Sequence, residues 1–282
     1  MKIVKFPDVR NNIIDSMRKR MLIPIIGSGF TGGCNSLHGT VPTGNAYRDY
    51  MIKAIESKGT FRPDEIETLK SEPFSVISSA YHAELPIEKQ HEYLKEHFTK
   101  VSIESYKKNF ISLQWPYIYT LNIDDAIERN SAFHTVIYSN RPVRNNIFDD
   151  NKCVIKLHGD ITEILSYEDA VSEIFDQAQY ITSLHKNTSL LSRLTHDFLY
   201  QNLLYIGCSL SNEIDLLSVS ASSTSSENAR FFCTTKVPTR LEEIKLESYK
   251  ITHWKEICQG LILQGNIYRK MGLTKLMRID NL

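Results

Sequence analysis

Three things are scarce in this sequence, and each scarcity removes a class of function. An excess of charge is the first: 33 Lys and Arg balance 33 Asp and Glu, so no general electrostatic pull toward nucleic acid or an anionic membrane is expected. Paired cysteine is the second. Cys34, Cys153, Cys208, Cys233 and Cys258 are dispersed singly; without C-x-x-C spacing the common zinc signature is missing, and reduced thiols in a cytosolic protein are expected. Long apolar runs are the third. None approaches a membrane span, and the N-terminus has no apolar signal core. The chain therefore reads as cytoplasmic, with no membrane partner, no direct nucleic-acid binding and no metal ligands.

What is present is the composition of an ordinary globular chain, 41% apolar and 23% charged, so the fold class must come from pattern. The most informative stretch is Pro116 to Arg129, PYIYTLNIDDAIER. Tyr117 to Leu121 has the aromatic and β-branched composition of a buried strand. Polarity then changes abruptly at Asn122, Asp124 and Asp125. Ala126 to Glu128 follows as a first helical turn, with Asp124 or Asp125 suited to the N-cap. Strand, polar tip, helix is how open parallel sheets hold ligands beyond their strand ends.

The same arrangement recurs along the chain. A helix over 7–20 leads into a strand at Met21 to Ile26, and Gly27-Ser28-Gly29-Phe30-Thr31-Gly32 fits G-x-G-x-x-G directly after it. Glycines there permit positive φ and a close backbone approach to phosphate. Asp49 stands roughly where a dinucleotide-binding acid belongs, but it lies in a helical segment, so a standard Rossmann dehydrogenase is not expected. Residues 46–110 are helical in pattern, interrupted near Pro63, Pro73 and Pro86. That is far more than one crossover needs, which predicts a helical insertion.

A strand at 134–138 and a polar run over 139–151 precede Lys152 to Leu157, which ends in His158-Gly159-Asp160. A histidine at such a tip is either a structural hydrogen-bonding residue or a group aimed into a cleft. Residues 166–199 read as helical, and Leu203 to Ile206 is a strand ending in Gly207-Cys208-Ser209-Leu210. The Ser/Thr-rich run 218–226 reads as an exposed loop or frayed helix end. Arg230 to Thr235 gives another strand, and 237–282 reads as a helical extension. Four polar- or glycine-tipped strand ends in one α/β chain predict a doubly wound parallel sheet, with its core at about 20–30 and 115–236 and a nucleotide site across it.

Gly27-Ser28-Gly29, Thr120-Leu121-Asn122-Ile123-Asp124, Lys156-Leu157-His158-Gly159-Asp160 and Gly207-Cys208-Ser209-Leu210, in that order, resemble the sirtuin or SIR2-like family. The resemblance is strongest to its bacterial antiphage-defence branch. It implies a Rossmann-like SIR2 fold and NAD+ as substrate, with the nicotinamide–ribose bond broken. Asn122 would position the ribose or an attacking water, and His158 would be the general base. Asp124 would hold the nicotinamide-side loop. Gly27, Ser28 and Gly29 would hold the pyrophosphate through backbone donors, while Gly207, Ser209 and Leu210 would contact the phosphates and adenosine half. Protein-deacylating sirtuins carry two C-x-x-C pairs that this sequence lacks, so no zinc is expected and water becomes the natural acceptor. The resemblance thus implies an NAD+ hydrolase acting as a defence effector, controlled by homo-oligomerisation, a partner defence protein or a sensor domain. A protein deacylase and a non-catalytic NAD+ or ADP-ribose sensor are the other readings.

Overall fold

The computed structural model describes residues 2–3, 6–133, 135–138, 153–166, 188–210, 213–222, 228–233, 239, 241, 244 and 253–255. Its centre is an eight-stranded sheet in which every paired neighbour runs parallel. The strands are β1 (Lys2–Ile3), β2 (Leu22–Ile26), β3 (Ile118–Thr120), β4 (Thr135–Tyr138), β5 (Cys153–Lys156), β6 (Asn202–Ile206), β7 (Arg230–Cys233) and β8 (His253–Lys255). Their spatial order is β1-β8-β7-β6-β2-β3-β5-β4. From β2 the chain moves to β3 on one side and later returns to β6 on the other. The β2 strand is therefore the switch point of a doubly wound α/β, Rossmann-like fold.

Strict alternation along short apolar runs makes this sheet two-faced. In β2, Leu22 and Ile26 join one buried cluster, and Ile23 and Ile25 join the other. In β5, Val154 faces the first cluster, while Cys153 and Ile155 face the second. Strands buried on both faces read as continuous hydrophobic runs, as LIPII and CVIK very nearly do. Pro24, which cannot donate to a ladder, falls opposite Leu204 of β6, and the ladder to β3 begins only at Ile25.

The helical insertion lies on the first face. It consists of α3 (Gly44–Lys58), α4 (Pro63–Ser71), α5 (Phe74–Glu84), α6 (Ile87–Phe98) and α7 (Ser105–Ile111). Pro63 opens α4, and Pro73 and Pro86 occupy the N-cap positions of α5 and α6, where a missing N–H costs nothing. The remaining helices are α1 (Phe6–Arg18), α2 (Ser28–Thr31), α8 (Ala126–Asn130), α9 (Ile161–Ile164), α10 (Thr188–Tyr200) and α11 (Ile214–Ser222). Leu190, Leu194 and Phe198 of α10 and Leu216 and Val219 of α11 cover the second face.

Two expectations change. The segment 237–282, read as helical, contributes β8, which pairs with β7 and β1 and carries the sheet beyond 115–236; three residues are too few for a period to be read. The Ser/Thr-rich run begins inside α11, where Val219 joins the second-face core and Ser220 is buried beside it in the chain, while Ser218 is exposed. Residues 139–152, 167–187 and 223–227, and most of 237–282, lie outside the described residues.

Candidate active site

Because all strands are parallel, the ends of β2, β3, β5 and β6 open on one edge of the sheet. A cavity of about 550 Å³ lies there, a size usual for small-molecule sites. Its floor is made by the strand tips: Gly27 and Ser28, Leu121 to Asp124, His158, Cys208 and Ser209. The insertion supplies the opposite wall through Thr43, Gly44, Tyr47, Arg48, Phe74 and Phe98. Tyr47 stacks on Tyr93 with centroids 5.4 Å apart and meets Phe98 edge-on at 5.6 Å, so this wall is a packed aromatic block. The Arg48 guanidinium is held by the carbonyls of Lys70 and Glu72.

Asn122 and Asp124 are both buried, and Thr31 joins them. Asn122 Nδ2 donates to the Gly27 carbonyl at 3.2 Å and to Thr31 Oγ1 at 2.9 Å. Thr31 Oγ1 in turn donates to Asp124 Oδ2 at 2.8 Å, and Asp124 Oδ1 accepts from the Ala126 N–H at 3.0 Å. With both Asn122 amide protons used inside the protein, its Oδ1 is the acceptor left for the cavity. Asp124 is committed to the loop. Burial raises its carboxyl above the ordinary value, against the opposing pull of Lys156, Thr31 and the Ala126 N–H. Asp125 occupies the N-cap position of α8, but its carboxylate turns outward to the backbone N–H groups of Lys100 and Val101 at 2.7 and 2.8 Å. The cap bond and the cap position thus fall to different aspartates.

Lys156 binds the second tip to the first. Its fully buried ammonium donates to the carbonyls of Ile123 and Asp124 at 3.2 and 2.7 Å, and to Glu128 Oε1 and Asp160 Oδ2 at 2.6 Å each. Burial alone would lower its pKa, but the two carboxylates outweigh that and leave it raised. Glu128 carries the cost: burial raises it despite Lys156, and its Oε2 has no partner among the described residues. Asp160 Oδ1 accepts from the N–H groups of Thr162 and Glu163 and caps α9. In K-x-H-G-D, then, the lysine and aspartate fix the loop, and His158 is the member that lines the cavity.

The glycines do something other than expected. The Gly27 N–H donates to the Ile206 carbonyl at 2.9 Å and the Gly29 N–H to the Gly207 carbonyl at 2.8 Å, so neither amide is left for a phosphate. The three glycines let the β2 and β6 tips touch. A Cβ on Gly27 would lie 2.7 Å from the Gly207 carbonyl oxygen, and one on Gly207 would lie 2.4 Å from the Phe30 nitrogen, at φ +66. Gly29, Gly207 and Leu210 are not among the cavity's lining residues. Leu210, at φ 51, buries its side chain in the second-face core. Ser28 and Ser209 do reach the cavity.

Sequence reasoning gave no role to Thr31, Arg48 and Glu213, which line the cavity beside Tyr47, Phe74 and Phe98, or to Lys156, which supports it. Glu213, just ahead of α11, places Oε2 3.7 Å from Nε2 of buried His158. Lys156 alone had a signal, a lysine inside an otherwise apolar strand. Cys208 is buried, with its thiol pushed well up by burial and then by Glu213, which suits a packing role and not a nucleophile. Among the described residues, no group of three or more His, Cys, Asp or Glu is placed to hold a metal ion, and no helix is long and apolar enough to cross a membrane.

Comparison with curated proteins finds none that matches. SIR2-like domains use NAD+, and the parallel sheet with its switch-point cavity is consistent with their Rossmann-like fold. Residues 116–253, which carry three of the four strand tips as well as Glu213, match the family model of the SIR2-like domain, and this match supports the SIR2-like family for the chain.

Proposed function

We propose that this protein hydrolyses NAD+ to nicotinamide and ADP-ribose. The observation that carries the reading is the convergence, in one switch-point cavity, of the Asn122 acceptor and His158, on loops locked by Thr31, Asp124 and Lys156. The nicotinamide of NAD+ is already a cationic leaving group. Water attacks the ribose carbon, the bond to the ring nitrogen breaks with its electron pair, and neutral nicotinamide departs. His158 takes the proton that the water loses, and Asn122 Oδ1 accepts from that water or from a ribose hydroxyl. The missing C-x-x-C pairs favour water over acyl-lysine as acceptor. Depletion of NAD+ on activation would make the protein an antiphage effector, kept silent by oligomerisation or a partner protein.

The test is NAD+ turnover with products separated, for wild type, Asn122→Ala and His158→Ala, with and without proteins encoded beside it. Nicotinamide and ADP-ribose from wild type only are expected. Retained NAD+ binding without turnover under any condition would instead favour a sensor.

A further inference from the structure

Resting on that reading, we propose that Glu213 is a positioning residue for His158: its carboxylate holds the ring and stabilises the imidazolium formed when His158 takes the proton. The pair spans two separate parts of the chain. His158 lies just beyond β5, Glu213 precedes α11, both line the cavity, and Nε2 and Oε2 are 3.7 Å apart with side chains only 4% and 16% exposed. A carboxylate at that distance in a partly water-excluded site acts through a low effective dielectric, so it favours the charged ring.

Among the described residues, several charged and titratable groups on the neighbouring segments have partners of their own. Lys156 and Asp160, on its own segment, pair with each other. Asp124, on the β3 tip, has one oxygen bonded to Thr31 and the other to the Ala126 N–H. Cys208, on the β6 tip, turns its Sγ to the carbonyls of Ile25 and Ile206. Glu213 is a carboxylate paired with the ring. Its charge is felt across the cavity, since it adds to the upward push on the Cys208 thiol.

Two measurements on the full chain test this. Imidazole NMR titration without NAD+ follows His158 in wild type, Glu213→Gln and Glu213→Asp, with His158→Asn assigning the signal. The midpoint is expected to fall by about half to one pH unit in Glu213→Gln and by less in Glu213→Asp, which serves alone if the first variant does not fold. The acid limb of NAD+ turnover should move to lower pH with it, and the plateau rate should drop, because a weaker base transfers the proton less well. An unchanged midpoint overturns the pairing whatever the turnover. A shifted midpoint with an unmoved acid limb overturns the positioning role. Absence of wild-type turnover under every condition sinks the hydrolase reading, and the role of Glu213 with it.

Discussion

Two buried polar networks flank β3, one behind it and one in front and at its tip. Behind it, the Tyr117 and Tyr119 hydroxyls donate to Asp197 Oδ2 at 2.6 and 2.7 Å, and Arg193 donates to Tyr117 Oη at 2.8 Å with its guanidinium over that ring. Burial, and then the Asp197 charge, pushes both phenols up. In front and at the tip lie Asn122, Thr31, Asp124 and the Lys156 cluster. Both networks are buried, charged and closely bonded, and the cavity opens on only one of them. Burial of polar groups is therefore not what marks the site. The rear groups use one another, whereas the front network carries two residues, Asn122 and His158, that line the cavity.

That contrast breaks most sharply at His158. Its replacement by Ala should lower NAD+ turnover by about 10²- to 10⁴-fold, while Tyr119→Phe behind the sheet leaves turnover unchanged; product-resolved kinetics compare the two. Stability should show the reverse weighting at Lys156. Lys156→Met strands Glu128 and Asp160 as buried charges and should cost about 3–5 kcal/mol in urea unfolding, against about 1–2 kcal/mol for Tyr119→Phe.

Thr31→Val keeps the shape of the side chain and removes both hydroxyl bonds. It should cost about 1–2 kcal/mol and release the Asn122 amide, so turnover falls about tenfold with the melt still cooperative. The smallest effect is on pH dependence. Asp124 and Glu128 have raised folded-state values, burial being the first cause. The folded protein therefore binds more protons than the unfolded chain just above the ordinary carboxylate range, and this part of stability declines as pH rises through that window. Lys156 has the same sign in a far higher window: raised in the fold, its contribution is fully present at neutral pH and is lost as pH climbs from the ordinary lysine range through its raised value. Glu128→Gln should flatten the slope of urea midpoint against pH between about 4 and 6; an unaltered slope would show that the orphaned Oε2 carries no such cost.

Much of the fold was legible. Short β-branched runs ending in glycine or polar residues gave β2, β3, β5 and β6, and prolines at helix starts gave the insertion its divisions. The strands β1 and β8, at one end of the sheet, were not legible, because two or three residues hold no period. For the site, Asn122, Asp124 and His158 came from strand-tip position, and the cavity brings all three together. Gly29, Gly207 and Leu210 were carried over as ligand contacts from the family resemblance; they do not line the cavity, and glycines at strand tips serve close packing as readily as anion binding, which a sequence does not tell apart.

Local chemistry determined the strand tips, the helix starts and the identity of the polar residues displayed there, since these depend on patterns within a few residues. Tertiary structure decided what those residues do. It brought Thr31 93 positions along the chain to Asp124, put Lys156 under both loops, used the Gly27 and Gly29 amides on the β6 tip, and set Glu213 beside His158. Hydrogen bonds and ion pairs act over a few ångströms in space, and the parallel crossovers fold distant segments onto one edge of the sheet.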